Sequence, residues 1–202
     1  MEMISIEELF QALMDAKPTT FDDYTELKKY KNRELYLEGV DSDSCKELVT
    51  LILDFNRADA DIVQHMRKPI LLYINSGGGN VTDGYALMDV ILMSKTPVHT
   101  ICIGSAYSMG GMVFLAGHKR IMYPRSSIML HQGAAELRGD IGKLKDGMKF
   151  VDNLVKIGDD FVLERTKIPL PLYEQKQFND WFLCASECLE LGITDEIATS
   201  LY

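Results

Sequence analysis

Residues 101–131 read ICIGSAYSMGGMVFLAGHKRIMYPRSSIMLH. A buried-strand pattern runs into Ser108, a small-residue helix start follows, and a second apolar strand ends on His131. A hydroxyl and an imidazole are thus both presented at strand ends. Working outward, residues 33–40 alternate like a strand, and residues 45–55 place Leu48, Leu51, Ile52 and Phe55 on one helical face. Pro69 opens a second strand, ILLYIN, which ends in the loop 76–80. Thr82 and Asp83 start a helix with Ala86, Leu87, Val90 and Ile91 on its apolar side, and Pro97 is read as its terminator. Residues 98–104 form a third apolar strand. Strands apolar along their whole length, separated by amphipathic helices, predict an α/β fold with ligands near the carboxyl ends of the strands.

Composition bounds the possibilities. The chain has 202 residues, 47% hydrophobic and 25% charged, an ordinary globular balance with enough length for a full core. A formal charge of -9 and the lack of any run of five or more basic residues exclude a phosphate-neutralising surface, so no nucleic-acid partner is expected. The longest apolar stretches, 70–74 and 112–116, are far too short to span a bilayer, and residues 1–10 are acidic rather than basic. A soluble protein without a secretory signal is the expectation. Cys45, Cys102, Cys184 and Cys188 show no C-x-x-C spacing, which suits reduced thiols in a cytoplasmic compartment.

Two further segments matter. Residues 1–16 carry Ser5 and Glu8 in capping-box spacing ahead of Ile6, Leu9, Phe10 and Leu13, predicting a short amphipathic helix broken at Pro18. We assign residues 1–30 to an appendage and 31–202 to the main domain. Between 139 and 165, Ile141, Leu144, Met148, Val151, Val155 and Val162 step by threes and fours, with Gly158 missing one beat. That is a long helix with a narrow seam, packed either on its own sheet or against another subunit; Pro169 and Pro171 are read as its end. Residues 186–191 form a short helix closed by Gly192.

Hydrolysis of an amide or ester at neutral pH requires a nucleophile, a base, an orienting acid and oxyanion donors. Ser108 sits where a strand turns into a helix, beside Ala106, Gly110 and Gly111, so the backbone can bend sharply. An α/β-hydrolase elbow would have glycine where Ala106 stands. His131 is a candidate base at the edge of the core, or a structural ring. His65, His99 and His118 lie in polar or loop-like contexts without metal spacing, and no metal is expected. Asp180, in QFNDWFL, is the best-placed aspartate, ahead of an apolar patch that would bury it. Gly77, Gly78 and Gly79 lie between a strand and a helix and can aim a backbone N–H at a substrate. A phosphate loop is excluded, because no Lys-Ser/Thr pair follows and Thr82 breaks the G-x-G-x-x-G spacing.

Four ordered segments now carry a resemblance: YINSGGGNVTDGYALMD (73–89), TICIGSAYSMGG (100–111), IMLHQ (128–132) and DWFLCASECLELGITDEI (180–197). Together they resemble the proteolytic subunit of the Clp protease (ClpP), a self-compartmentalised serine peptidase, over residues 33–198. The resemblance implies a crotonase-like α/β fold of repeated β-β-α units, with a protruding handle at about 132–170. It implies Ser108 as nucleophile, His131 as general base and Asp180 as the orienting acid. Gly79 and Met109 N–H groups would form the oxyanion hole, with Gly78 alongside. It further implies two stacked seven-membered rings joined through the handle helix and enclosing the active sites. The chamber would admit unfolded polypeptides delivered by a hexameric ATP-driven (AAA+) unfoldase, and the subunit itself would use no cofactor. Gly77 stands where the family usually has proline, Ala135 and Glu136 where it commonly has a glycine pair, and Phe178 and Asn179 where many members carry an Asp-Arg pair. Two other readings are a catalytically silent ring subunit and an acyl-CoA enzyme on the same fold. The complete set of three candidate residues counts against the first, and the paired nucleophile and base count against the second.

Overall fold

The computed structural model of the chain describes residue 11 and residues 20–201. The amphipathic helix expected at 1–16 lies outside the described residues apart from Gln11. Helix α1 (Phe21–Asn32) opens on a capping box in which Thr20 Oγ1 accepts from the Asp23 N–H and the Asp23 carboxylate accepts from the Thr20 N–H. It closes on Arg33, which takes a left-handed conformation at φ 63°. Strand β1 (Glu34–Leu37) follows, and α2 (Ser42–Ala58) starts at Asp41, whose side chain accepts from the N–H groups of Asp43 and Ser44. Next come β2 (Ile70–Ser76), α3 (Val81–Met93), β3 (Val98–Tyr107) and α4 (Met109–Ala116). Strands β4 (Lys119–Met122) and β5 (Ser127–Leu130) lead into the 25-residue α5 (Ile141–Arg165), then α6 (Leu170–Lys176), β6 (Trp181–Cys184), α7 (Ala185–Glu190) and β7 (Glu196–Ile197).

The strands form one sheet with the order β1-β2-β3-β4-β7, parallel throughout, to which β5 and β6 attach as a branch. The branch arises because β3 changes partner along its length. Residues His99 to Cys102 pair with β4, whereas Ser105 to Tyr107 pair with β5. At the change the register against β2 slips, so that Ile74 faces Cys102 but Ser76 faces Ala106. The side chain of Asn75 fills the slip, with Oδ1 accepting from the Ser105 N–H at 3.0 Å. Gly104 is needed there, since a Cβ would lie 2.4 Å from Asn75 Oδ1.

The mostly parallel α/β architecture is the one the strand-helix alternation implies, and it matches the ClpP-type fold. The main core lies between the sheet and α2, α3 and α4, with Ile52, Leu72, Ile74, Leu87, Ile91 and Phe114 fully buried. Burying such side chains is worth about 1.5–3 kcal/mol each. A smaller cluster of Tyr73, Ile101, Ile121 and Ala198 occupies the opposite face.

Several boundaries differ from the sequence reading. Strand β3 continues past Gly104 to Tyr107, because the partner switch supplies a second neighbour for its end. Helix α3 stops at Met93, where Ser94 N–H bonds back to the Ile91 carbonyl, so Pro97 follows the helix rather than ending it. Helix α5 ends at Arg165, and Pro171 sits in the first turn of α6, where a missing N–H costs nothing. His99 is a strand residue of β3 and half-buried, not a loop residue, and burial lowers its pKa. His118 accepts the Val98 N–H through Nδ1 at 3.1 Å, a structural bond that burial reinforces by favouring the neutral ring.

A buried ion pair ties α1 and β1 to the body. Asp59, 1% exposed, receives both Arg33 Nη groups at 2.6 and 2.7 Å and the Thr96 hydroxyl at 2.8 Å. The Arg33 bonds hold the Asp59 carboxyl below the ordinary carboxylate range, against the opposing effect of burial. A depressed folded-state pKa gives stability that is complete above the unfolded value of about 3.9 and is lost as pH falls through the lower folded value. Asp59→Ala leaves the Arg33 guanidinium without its carboxylate and is expected to lower unfolding stability by about 3–5 kcal/mol in urea titrations. Asp59→Asn should flatten the acid limb of stability below about pH 4 relative to wild type.

Candidate active site

The site assembles at the branch point of the sheet. Ser108 follows β3 directly and serves as N-cap of α4, with φ 54° and ψ -125°. A non-glycine residue at positive φ costs on the order of 1–3 kcal/mol and persists where its surroundings fix it. Here the Ser108 N–H donates to the Met129 carbonyl of β5 at 2.9 Å, and its own carbonyl accepts from Met112 N–H at 3.1 Å. The turn also demands close approach: a Cβ on Gly111 would lie 3.0 Å from the Ala106 carbonyl oxygen, and one on Gly110 would lie 3.0 Å from Ser76 Cβ. The sharp strand-to-helix turn expected from the small residues therefore exists without the glycine that an α/β-hydrolase elbow would carry at Ala106.

His131 follows β5, which runs parallel to the end of β3 in the register Tyr107 to Met129. That register carries the next residues of both strands into contact, and His131 Nε2 lies 2.7 Å from Ser108 Oγ. Strand β6 returns antiparallel along the other side of β5, pairing Leu130 with Trp181. One step further, Asp180 meets His131, and Oδ1 lies 3.1 Å from Nδ1. Three residues separated by up to 72 positions thus share one line of contacts: 108, 131 and 180. The Asp180 side chain is 60% exposed. The apolar segment after it does not bury it: Phe182 is itself exposed and Trp181 only partly buried.

The glycine loop lies against the same turn. A Cβ on Gly78, whose φ is 98°, would sit 2.8 Å from Ser108 Cβ and 3.1 Å from the Met109 nitrogen. A Cβ on Gly79 would lie 2.1 Å from the Val40 carbonyl oxygen. Val40 clamps the loop, its N–H donating to Gly78 O at 3.0 Å and its carbonyl accepting from Asn80 N–H at 2.7 Å. The Gly78 N–H itself donates to Ser76 Oγ at 3.1 Å. The N–H groups of Gly79 and Met109 meet no acceptor among the described residues.

A cavity of about 260 Å³ opens beside Ser108 and His131, between α3, α4, α5 and α6. Its walls are mainly apolar, including Met112, Leu154, Val155 and Val162. The beat that Gly158 misses in the α5 seam has a structural cause. Tyr85 of α3 occupies the notch and donates its hydroxyl to the Leu154 carbonyl at 2.9 Å, and a Cβ on Gly158 would lie 2.9 Å from the Tyr85 hydroxyl oxygen. Sequence reading did not anticipate a polar cluster at the cavity's edge. Asp159 accepts from the Tyr173 hydroxyl at 2.7 Å and from Gln132 Nε2 at 3.1 Å, and Gln132 also donates to Gln177 Oε1 at 3.1 Å. Burial and the Asp159 bond push the Tyr173 hydroxyl pKa up, so it remains a donor. Only the position of Asp159 one residue after Gly158, inside an apolar seam, signalled it.

The amino-terminal half of α5 runs clear of the body. Ile141 is 74% and Met148 50% exposed, while Val162 near the other end is buried. The end of the seam packs against the domain, as the first alternative expects, whereas Ile141 and Met148 near its beginning are largely exposed. Among the described residues no group of acidic, histidine or cysteine side chains is arranged to hold a metal, and no helix is long and apolar enough to cross a membrane.

Comparison with known proteins shows the family. The family model for the Clp protease matches residues 18–200. The ATP-dependent Clp protease proteolytic subunit of Oltmannsiellopsis viridis is 33% identical over 174 residues, covering 85% of this chain and 86% of that protein. With the family pattern spanning nearly the whole chain and a relative aligned over most of both lengths, this protein belongs to the Clp protease family, as a ClpP-type protease.

Proposed function

We propose that the chain is a serine endopeptidase in which Ser108, His131 and Asp180 act together. The observation that carries this reading is the 2.7 Å contact between Ser108 Oγ and His131 Nε2, with Asp180 behind Nδ1. His131 takes the Ser108 proton as Oγ attacks the scissile carbonyl, and Asp180 orients the ring and stabilises the imidazolium that forms. The proton passes to the leaving amine, and water then hydrolyses the acyl-enzyme by the same route in reverse. The N–H groups of Gly79 and Met109 receive the oxyanion, a role supported by their lack of acceptors among the described residues and by the helix start at Met109. Gly78 holds the loop against the turn, since its own N–H is engaged by Ser76.

Membership of the family supports ring-forming oligomers working with an ATPase partner. The finer reading is a cytoplasmic assembly of two stacked heptameric rings, fourteen subunits in all, joined through α5. A hexameric AAA+ unfoldase would use ATP and thread unfolded polypeptides into the chamber, and the peptidase subunit would need no cofactor. The apolar residues at the start of α5 support that role for the helix, because Ile141 and Met148 are largely exposed in the single chain.

Ser108→Ala should lower kcat/KM on a fluorogenic peptide by about 10⁴-fold or more, and abolish labelling by a fluorophosphonate while leaving the assembly unchanged. Retained cleavage by that variant would reject the assignment. Ile141→Glu combined with Met148→Glu should shift the protein by light scattering from the large assembly toward smaller species, down to the 22.8 kDa chain. An unchanged mass would remove the helix seam from the interface.

A further inference from the structure

The cavity beside Ser108 ends differently from its walls. The walls are apolar, but Asp159 lines the same space and carries a carboxylate, which when ionised can only accept hydrogen bonds. Each of its oxygens receives a single donor, Tyr173 Oη on Oδ1 and Gln132 Nε2 on Oδ2. A carboxylate offers about four lone-pair sites, so acceptor capacity remains. Both donors are neutral, and no ion pair of the described residues engages Asp159. Lys176 also lines the cavity but is not within ion-pair distance of that carboxylate. The two donors fix Asp159 in place from different elements, Tyr173 from α6 and Gln132 from the segment next to His131.

A purely aliphatic side chain entering this space would cover a half-buried carboxylate and leave its remaining acceptor capacity without water, which is unfavourable. A side chain with an apolar stem and a cationic tip would fill the walls with its methylenes and present donors to Asp159. We infer that Asp159 is a specificity-determining residue: the cavity takes, on the acyl side of the scissile bond, a side chain of lysine type. This rests on the peptidase reading above, with Ser108 as the nucleophile.

The test uses the full-length assembled protein and two peptides that differ at one side chain, lysine in one and norleucine in the other, so that the four-carbon stem is common and only the ammonium is lost. Wild type is expected to show kcat/KM for the lysine peptide about tenfold or more above that for the norleucine peptide. In Asp159→Asn, which keeps the shape and one acceptor, the lysine rate should fall relative to the norleucine rate and the ratio drop to about one or below. A merely structural role for Asp159 would lower both rates together and leave the ratio where it was, and that outcome overturns the inference. So does a wild-type enzyme that cleaves norleucine as well as or better than lysine, a result that needs no folded variant. Fluorophosphonate labelling of Ser108 runs alongside. Labelling with cleavage but no lysine preference rejects the specificity of the cavity and leaves the peptidase reading standing, whereas no labelling and no cleavage rejects both.

Discussion

The site exists because β3 has two successive neighbours. A strand that paired with β4 along its whole length would deliver Ser108 to the middle of a flat sheet, with no second strand end beside it. The slip filled by Asn75 turns the last residues of β3 toward β5 instead. From there one backbone bond, Ser108 N–H to Met129 carbonyl, fixes the positive-φ turn and sets the distance to His131. Strain of this kind is tolerated where the surroundings over-determine the conformation. Gly78, Gly110 and Gly111 meet that condition, because each brings another backbone or side chain to within a Cβ's reach of the turn.

How much of this was legible in the sequence depends on how local the cause was. Ser108 and His131 were readable from residues 101–131 because each ends an apolar strand, and strand ends are where an α/β sheet exposes its chemistry. Asp180 stood out from the residues only as the best-placed of many acids, and its role came from the family resemblance. Its partner is set by the antiparallel register of β5 with β6, a pairing across some fifty residues that leaves no periodic trace. The α6 helix was missed because Pro169 and Pro171 looked like terminators, although proline in a first helical turn is equally a start signal. The Arg33–Asp59 pair was invisible for the same reason as Asp180, since it joins residues 26 apart through packing rather than spacing.

The α5 seam illustrates a pattern that was correct in outline and incomplete in content. A regular three-four spacing predicts one partner along one stripe. The helix in fact meets two environments: its end closes a cavity over the catalytic-site candidates, while its beginning leaves Ile141 and Met148 largely exposed. Gly158 lies within the cavity-lining part, where the notch it leaves admits Tyr85 and locks α3 to α5 through the Leu154 carbonyl. Asp159, the next residue, then bridges α5 to the segment after His131 and to α6. The handle-like helix is therefore not a separate attachment but one wall of the site.

The exposure of Asp180 constrains how that residue can work. In a low-dielectric interior a carboxylate beside a forming imidazolium acts strongly through its charge, but one that is 60% exposed faces solvent that screens most of the interaction. What survives screening is direction. The Leu130–Trp181 pair, extended by one residue, brings Oδ1 to 3.1 Å from Nδ1, while Nε2 on the other side of the ring meets Ser108 Oγ at 2.7 Å. The β5–β6 ladder thus supplies through geometry what burial would otherwise supply through electrostatics. A backbone pairing that begins at the very next residue can hold that contact in water.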